Sequence, residues 1–172
     1  MFLWCEEGHV SFPGGHLDQG ETDIQAALRE TEEELGRCMH SDMIEVLGRG
    51  PPILAITGTI VYPIFGWIKE DVQRLAFDKN EEEVEEIFTV PIKRLIDPNL
   101  KEYEAHVRQQ LSKEQTNEKH EKRIIDTPGN KHKPSIMLPV FYGGKHKIWG
   151  LTSIITDHFL KFVIIPALRD QV

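Results

Sequence analysis

The chain has little of what marks secreted, membrane-spanning or nucleic-acid-coating proteins. It has only two cysteines in 172 residues, Cys5 and Cys38. Their separation fits no disulfide framework, redox pair or thiolate metal site, so both read as structural thiols of a reducing compartment. Positive charge is scarce, with 20 Lys and Arg against 28 Asp and Glu and a net charge of -8. That balance argues against a nucleic-acid scaffold and against a protein held on an anionic membrane surface. Long apolar runs are missing too. A stretch such as Phe162-Val163-Ile164-Ile165 falls far short of the ~20 apolar residues that span a bilayer. Residues 1–10 contain no basic region, so no cleavable signal is visible. There are no internal repeats and no sign of a second domain. With 40% hydrophobic residues, residues 1–172 are expected to form one soluble globular domain with a core of its own.

Against that background one segment is dense with carboxylates. Residues 15–37 read GHLDQGETDIQAALRETEEELGR. Thr22 and Gln25 have the spacing of a capping box, and Asp23 adds negative charge near the positive end of a helix dipole. No Pro or Gly follows until Gly36, a natural stop. The stretch therefore predicts a helix of about three to four turns. At helical spacing Ile24, Ala27, Leu28, Thr31 and Leu35 form a core-facing stripe. Glu30, Glu33 and Glu34 gather on the other side, with Glu32 pointing away. Three converging carboxylates repel unless a cation lies between them, and hard divalent ions such as Mg2+ or Mn2+ take such oxygen ligands. A solvated acidic face is the plain alternative. The turn Ser11-Phe12-Pro13-Gly14-Gly15, together with Glu21 and Arg29 at set offsets, favours the metal.

Elsewhere, Ile44–Gly48 predicts a short strand ending at the Gly50-Pro51-Pro52 turn. Residues 53–68 predict one or two largely buried strands, with an edge or bulge at Pro63. The acidic run Glu81–Glu86 precedes a strand over Ile87–Pro91, and a short helix begins at Ile92. Residues 101–134 are polar and read as a mobile excursion, with at most a helix near 101–112. His106, His120 and His132 are too scattered for a metal cluster and read as solvated. A hairpin is expected from Ile136–Tyr142 through Gly143-Gly144 to His146–Trp149. A closing helix starts near Leu151, with Leu151, Ile154, Ile155, Phe159 and Phe162 packing on the sheet. The sum is an α/β sandwich with a mixed sheet between helices.

The carboxylate segment resembles the Nudix box, G-x5-E-x7-R-E-U-x-E-E-x-G-U with U aliphatic. Gly15, Glu21, Arg29, Glu30, Glu33, Glu34 and Gly36 match it, while Thr31 and Arg37 depart at the two U positions. The resemblance implies a Nudix-type α/β/α sandwich that hydrolyses a nucleoside diphosphate linked to another moiety. It assigns Glu30, Glu33 and Glu34 as ligands of Mg2+ or Mn2+, with Glu33 also catalytic, and it pairs Arg29 with Glu21.

Three further stretches resemble the coenzyme A diphosphatase subgroup, in particular its mitochondrial form in animals. They are Gly8–Gly15, Asn80–Pro91, and Leu138–Phe141 with Ile148–Thr152. That likeness implies cleavage of coenzyme A or its acyl esters to 3',5'-ADP and (acyl-)4'-phosphopantetheine, in a mitochondrial monomer or homodimer without nucleic-acid or membrane partners. Without the mitochondrial likeness, the cytoplasm is the expected location. ADP-ribose or NADH as substrate, or nucleotide binding without turnover, are the other readings. Glu83, a loop carboxylate before a strand, is a candidate auxiliary ligand or general base, with a solvated acid as the alternative. Trp149 reads as an adenine-stacking surface or as core. The subgroup's box is preceded by further strands and a basic motif, whereas here only Met1–Glu7 precede Gly8. A sheet short of its N-terminal strands, with exposed strand edges and reduced stability and activity, is therefore expected.

Overall fold

The computed structural model describes residues 2–6, 9–55, 57–107, 135–142 and 144–169. Phe2–Glu6 (β1) and His9–Ser11 (β2) pair antiparallel, Cys5 opposite Val10. The segment ahead of the box thus contributes a strand that composition did not announce. The box helix α1 runs Asp23–Leu35. Its start is the capping box: Gln25 N–H donates to Thr22 Oγ1 at 3.3 Å and Thr22 N–H donates to Gln25 Oε1 at 2.9 Å. It stops at Gly36, whose φ of +94° suits glycine and whose N–H donates to the Glu32 carbonyl at 2.9 Å.

Ile44–Arg49 (β3) follows, then Ile53–Leu54 (β4), Ile60–Val61 (β5) and Ile64–Ile68 (β6). Residues 53–68 therefore break into three short strands, and they are not largely buried: Leu54, Ile60 and Trp67 are exposed. The turn at Thr57-Gly58 and Pro63 between β5 and β6 interrupt any longer strand. Glu86–Thr89 (β7) and the short helix Ile92–Leu95 (α2) stand where the sequence places them.

Lys101–Val107 (β8) corrects the sequence reading, which had a mobile excursion or a helix there. It pairs along its whole length with Ser135–Phe141 (β9), Lys101 opposite Phe141 and Val107 opposite Ser135. Lys101, Tyr103, Ala105 and Val107 alternate with Glu102, Glu104 and His106, which suits a strand and not a helix. The rest of the proposed excursion, with His120 and His132, lies outside the described residues. Of the expected hairpin, a single bridge survives, Phe141 opposite Ile148; β9 takes β8 as its partner instead.

The chain closes with one continuous helix over Gly150–Arg169: Gly150–Phe159 (α3), a π-helical turn Leu160–Ile164, and Ile165–Arg169 (α4). By length and composition it could cross a membrane, which short apolar runs did not foretell. Its first half packs on β9. The buried face there is not the expected apolar stripe but Thr152, Ser153, Thr156 and Asp157, with Leu160. The hydroxyls are satisfied locally, Thr156 Oγ1 donating to the Thr152 carbonyl at 2.8 Å and Ser153 Oγ to that of Gly150 at 2.7 Å. Thr152 Oγ1 reaches the Val10 carbonyl at 2.8 Å and ties the helix to β2.

The α/β class is borne out. The pairings among described strands are antiparallel, in order β2-β1-β7, β3-β6, β4-β5 and β8-β9, where a mixed sheet was expected. The core is divided. One cluster joins Val10, Val90, Leu95, Phe141, Ile148 and Leu160. A second joins Leu35, Met39 and Val84 beneath α1. Between them lies an apolar cavity of about 1280 Å³, bordered by both clusters. The apolar stripe of α1 faces this space. All of Ala27, Leu28, Thr31 and Leu35 border the cavity, Leu35 fully buried and the other three only half-buried, and Ile24 is exposed.

Candidate functional site

Arg29 organises the site. From the second turn of α1 its guanidinium grips Glu21 with both ends, Nε to Oε1 at 3.0 Å and Nη2 to Oε2 at 3.1 Å. This is the fork-to-fork geometry that makes arginine–carboxylate pairs specific. Nη2 also donates to the His16 carbonyl at 3.1 Å. The same Glu21 Oε2 accepts the Asp18 N–H at 3.0 Å, so residues 16–21 are stapled to the helix. The Arg29 hydrogen bond is the main reason the Glu21 carboxyl lies below the ordinary carboxylate range. In return, Glu21 and then Glu30 hold the guanidinium firmly protonated.

The box glutamates divide into two kinds. Glu30 and Glu34 lie against the Gly14-Gly15 turn. Gly14 N–H donates to Glu34 Oε1 at 3.3 Å. A Cβ on residue 15 would meet the Glu30 carboxylate, Oε2 at 2.8 Å, so any larger residue there would displace the end of that side chain. Glu34 is 6% exposed, and a carboxylate so buried favours a cation beside it. Glu33 is exposed on the outer side. Arg29 Nη1 donates to Glu30 Oε1 at 2.9 Å and to Glu33 Oε2 at 3.0 Å, so a guanidinium nitrogen stands between two of the proposed ligands. Among the described residues no three His, Cys, Asp or Glu side chains already form a cage. The donor set nonetheless fits a hard divalent ion. All three groups are carboxylates at i, i+3 and i+4 on one side of a helix, and two lie against the Gly14-Gly15 turn.

The acid-bearing loop is hung on the far end of the same helix. Asn80 N–H donates to the Glu34 carbonyl at 2.9 Å, and Val84, fully buried, plugs beneath Leu35. Gly36 allows the approach: a Cβ there would meet the Asp78 carbonyl oxygen at 2.5 Å. Glu83 is thereby placed at the C-terminal end of α1, on an exposed turn whose backbone folds back on Asn80. Asn80 was missed by sequence reasoning. Its Oδ1 accepts the Glu82 N–H at 3.0 Å, the local turn chemistry of asparagine, which is the signal that would have found it. At the other end, Asp23 pairs with Arg49 at 2.7 Å, and Arg49 stacks 4.0 Å above the Tyr62 ring, fixing the helix start to β3.

Trp149 is 38% exposed and lies against His9, ring centroids 5.6 Å apart. It is not a core residue. Cys38 is a free thiol, pushed up in pKa by burial.

Residues 3–113 match the NUDIX domain. Over 159 residues, 91% of the chain, the sequence is 31% identical to the human protein named mitochondrial coenzyme A diphosphatase NUDT8, covering 56% of that protein. The mouse protein of the same name is 33% identical over 159 residues, with 63% of its length covered. Nudix hydrolase 3 of Caenorhabditis elegans is 38% identical over 97 residues, 56% of this chain and 40% of that protein. The chain thus spans less than two thirds of the length of these relatives.

Proposed function

From the premise that the chain belongs to the NUDIX domain family, we propose that it is a metal-dependent diphosphohydrolase. Its substrate would be coenzyme A or acyl-coenzyme A, cleaved to 3',5'-ADP and (acyl-)4'-phosphopantetheine. The observation that carries the reaction type is the pair Glu30 and Glu34 under the Gly14-Gly15 turn, braced by Arg29 on Glu21. The substrate class rests on the relatives named coenzyme A diphosphatase. Their names also support a mitochondrial location.

In this reading Glu30, Glu34 and Glu33 hold Mg2+ or Mn2+, which when bound neutralises the diphosphate and acidifies a water. Arg29 is a positioning residue. It keeps the Glu21 loop closed on the helix, and its Nη1 bonds to Glu30 and Glu33 would have to open for those two carboxylates to hold the ion. Glu34, buried and hydrogen-bonded by Gly14 N–H, is the rigid member of the set. Either Glu33 or Glu83, both exposed, would take the single proton lost by the attacking water. Positioning and charge stabilisation then supply most of the rate for phosphorus–oxygen cleavage.

A second reading, nucleotide binding without turnover, is favoured by one observation: Arg29 Nη1 bridges Glu30 and Glu33. Incubating the chain with Mg2+ or Mn2+ and coenzyme A, acetyl-coenzyme A, ADP-ribose or NADH, and resolving the products by chromatography, separates the two. The expected result is 3',5'-ADP from coenzyme A, abolished by Glu34→Gln. Turnover of ADP-ribose or NADH alone overturns the substrate class. Folded, nucleotide-binding protein without turnover establishes the second reading.

A further inference from the structure

On the hydrolase reading above, we infer that Lys79 is a positioning residue. Its ammonium closes residues 79–84 into a clasp on the box helix and so holds Glu83 in place to take the proton of the attacking water. Five carboxylates, Glu81, Glu82, Glu83, Glu85 and Glu86, occupy six consecutive positions. Such a run repels itself, and with nothing to hold it stays extended in solvent. Here it is folded tightly.

Backbone bonds begin the clasp. Asn80 N–H donates to the Glu34 carbonyl at 2.9 Å. The loop is thereby tied to the main chain of the residue whose buried carboxylate lies against Gly14. The Asn80 carbonyl accepts the N–H groups of Glu83 at 3.2 Å and Val84 at 2.8 Å. Lys79 completes the ring, its Nζ donating to the Val84 carbonyl at 2.6 Å. Val84 is fully buried, so water cannot replace that donor, and losing it is costly. Two hydrogen bonds and one residue, Asn80, separate the Glu83 amide from the Glu34 carbonyl, a path of at most ~10 Å.

The same ammonium bears on which acid is free to act. Lys79 Nζ also donates to Glu81 Oε2 at 2.8 Å, while Lys145 and His146 engage Glu86 at 2.7 and 3.1 Å. The exposed Glu81 pair contributes little energy, but both ends of the acid run now have partners. Glu83 lies inside the ring, between the Asn80 carbonyl that takes its N–H and Val84, which is held by N–H and carbonyl alike. Glu85 lies outside it. A proton acceptor whose main chain is fixed in advance needs no ordering when substrate binds.

The test is a double-mutant cycle on the whole chain with coenzyme A and Mg2+. Lys79→Met should lower kcat about tenfold with KM within about twofold, and Lys79→Arg should recover most of the loss. In a Glu83→Gln background Lys79→Met should change kcat by less than about twofold, whereas in a Glu82→Gln background its full effect should remain. Lys79→Gln serves if Lys79→Met fails to fold by circular dichroism. Additive losses with Glu83→Gln, coupling to Glu82 instead, or parental kcat in Lys79→Met would overturn the inference and leave the hydrolase reading standing. Amide magnetic resonance with Mn2+ reads the same placement without turnover. The parent should show paramagnetic broadening at Glu83, and Lys79→Met should lose most of it while Gly14 and Gly15 stay broadened. Broadening of Gly14 and Gly15 but not of Glu83 in the parent would overturn the inference. A parent that broadens as expected yet turns over none of coenzyme A, acetyl-coenzyme A, ADP-ribose or NADH would defeat the hydrolase reading and support the placement.

Discussion

The two ends of the box helix's surroundings differ in how they are held. On its carboxylate side, one guanidinium reaches Glu21, Glu30, Glu33 and the His16 carbonyl within 3.1 Å, and a glycine turn closes on two carboxylates. On its apolar side, the residues that should be core line an open space instead. Polar, short-range cross-links built within residues 14–36 survive by themselves because their partners are close in sequence. The apolar stripe needs a distant segment to cover it. Local chemistry and global packing are therefore separable here, and the chemistry is the better defined of the two.

That contrast can be broken from the polar side first. Glu34→Gln removes a buried negative charge under the Gly14 amide, and turnover should fall by about a hundredfold to a thousandfold, measured with coenzyme A and Mg2+. The protein should stay folded by circular dichroism. On the apolar side, Leu35→Ala empties a fully buried position and should cost about 2–5 kcal/mol in a urea titration. Arg29→Lys keeps the charge and loses the fork on Glu21, so kcat/KM should drop about 10- to 100-fold, with metal affinity falling alongside.

A smaller effect is expected far from the box. Asp157 is buried beside Lys101 and Lys161, the latter 2.6 Å away. Burial raises its pKa, but the two lysines outweigh that and hold it below the ordinary value. Its pKa is thus lower folded than unfolded, so its contribution is present above the unfolded value, ~3.9, and is lost as pH falls through the folded one. Asp157→Asn should destabilise by about 1–3 kcal/mol and flatten the acid limb of a pH–stability curve. Least of all, Leu28→Ala should cost under ~1 kcal/mol, because Leu28 already faces the cavity; the contrast with Leu35→Ala measures directly how open that face is.

Much of the site was legible because its spacing is local. The Thr22–Gln25 capping box and the Gly36 stop follow from residues within a few turns of one another, whereas the Glu21–Arg29 pair came from the resemblance to the Nudix box. Strand β8 was not legible by composition, since Glu102, Glu104 and His106 make it polar. Its period-two alternation was the overlooked signal, and pairing with β9 decides the outcome. The buried face of α3 was misjudged for a different reason. Thr152, Ser153 and Thr156 are small, Ser153 and Thr156 bond within the helix and Thr152 bonds the Val10 carbonyl, so they admit close packing, while the bulkier stripe turns to the cavity. The role of Arg29 between Glu30 and Glu33 is a matter of side-chain geometry that helical periodicity does not contain.

The most direct measurement of the central claim is a Mn2+ titration followed by the free-ion paramagnetic resonance signal, comparing the parent with Glu30→Gln and Glu34→Gln. The account predicts that the parent depletes free Mn2+ and that both variants weaken binding by an order of magnitude or more. Equal depletion by all three proteins would contradict it, because the ion would then be held somewhere other than the carboxylates that Arg29 and the glycine turn keep in place.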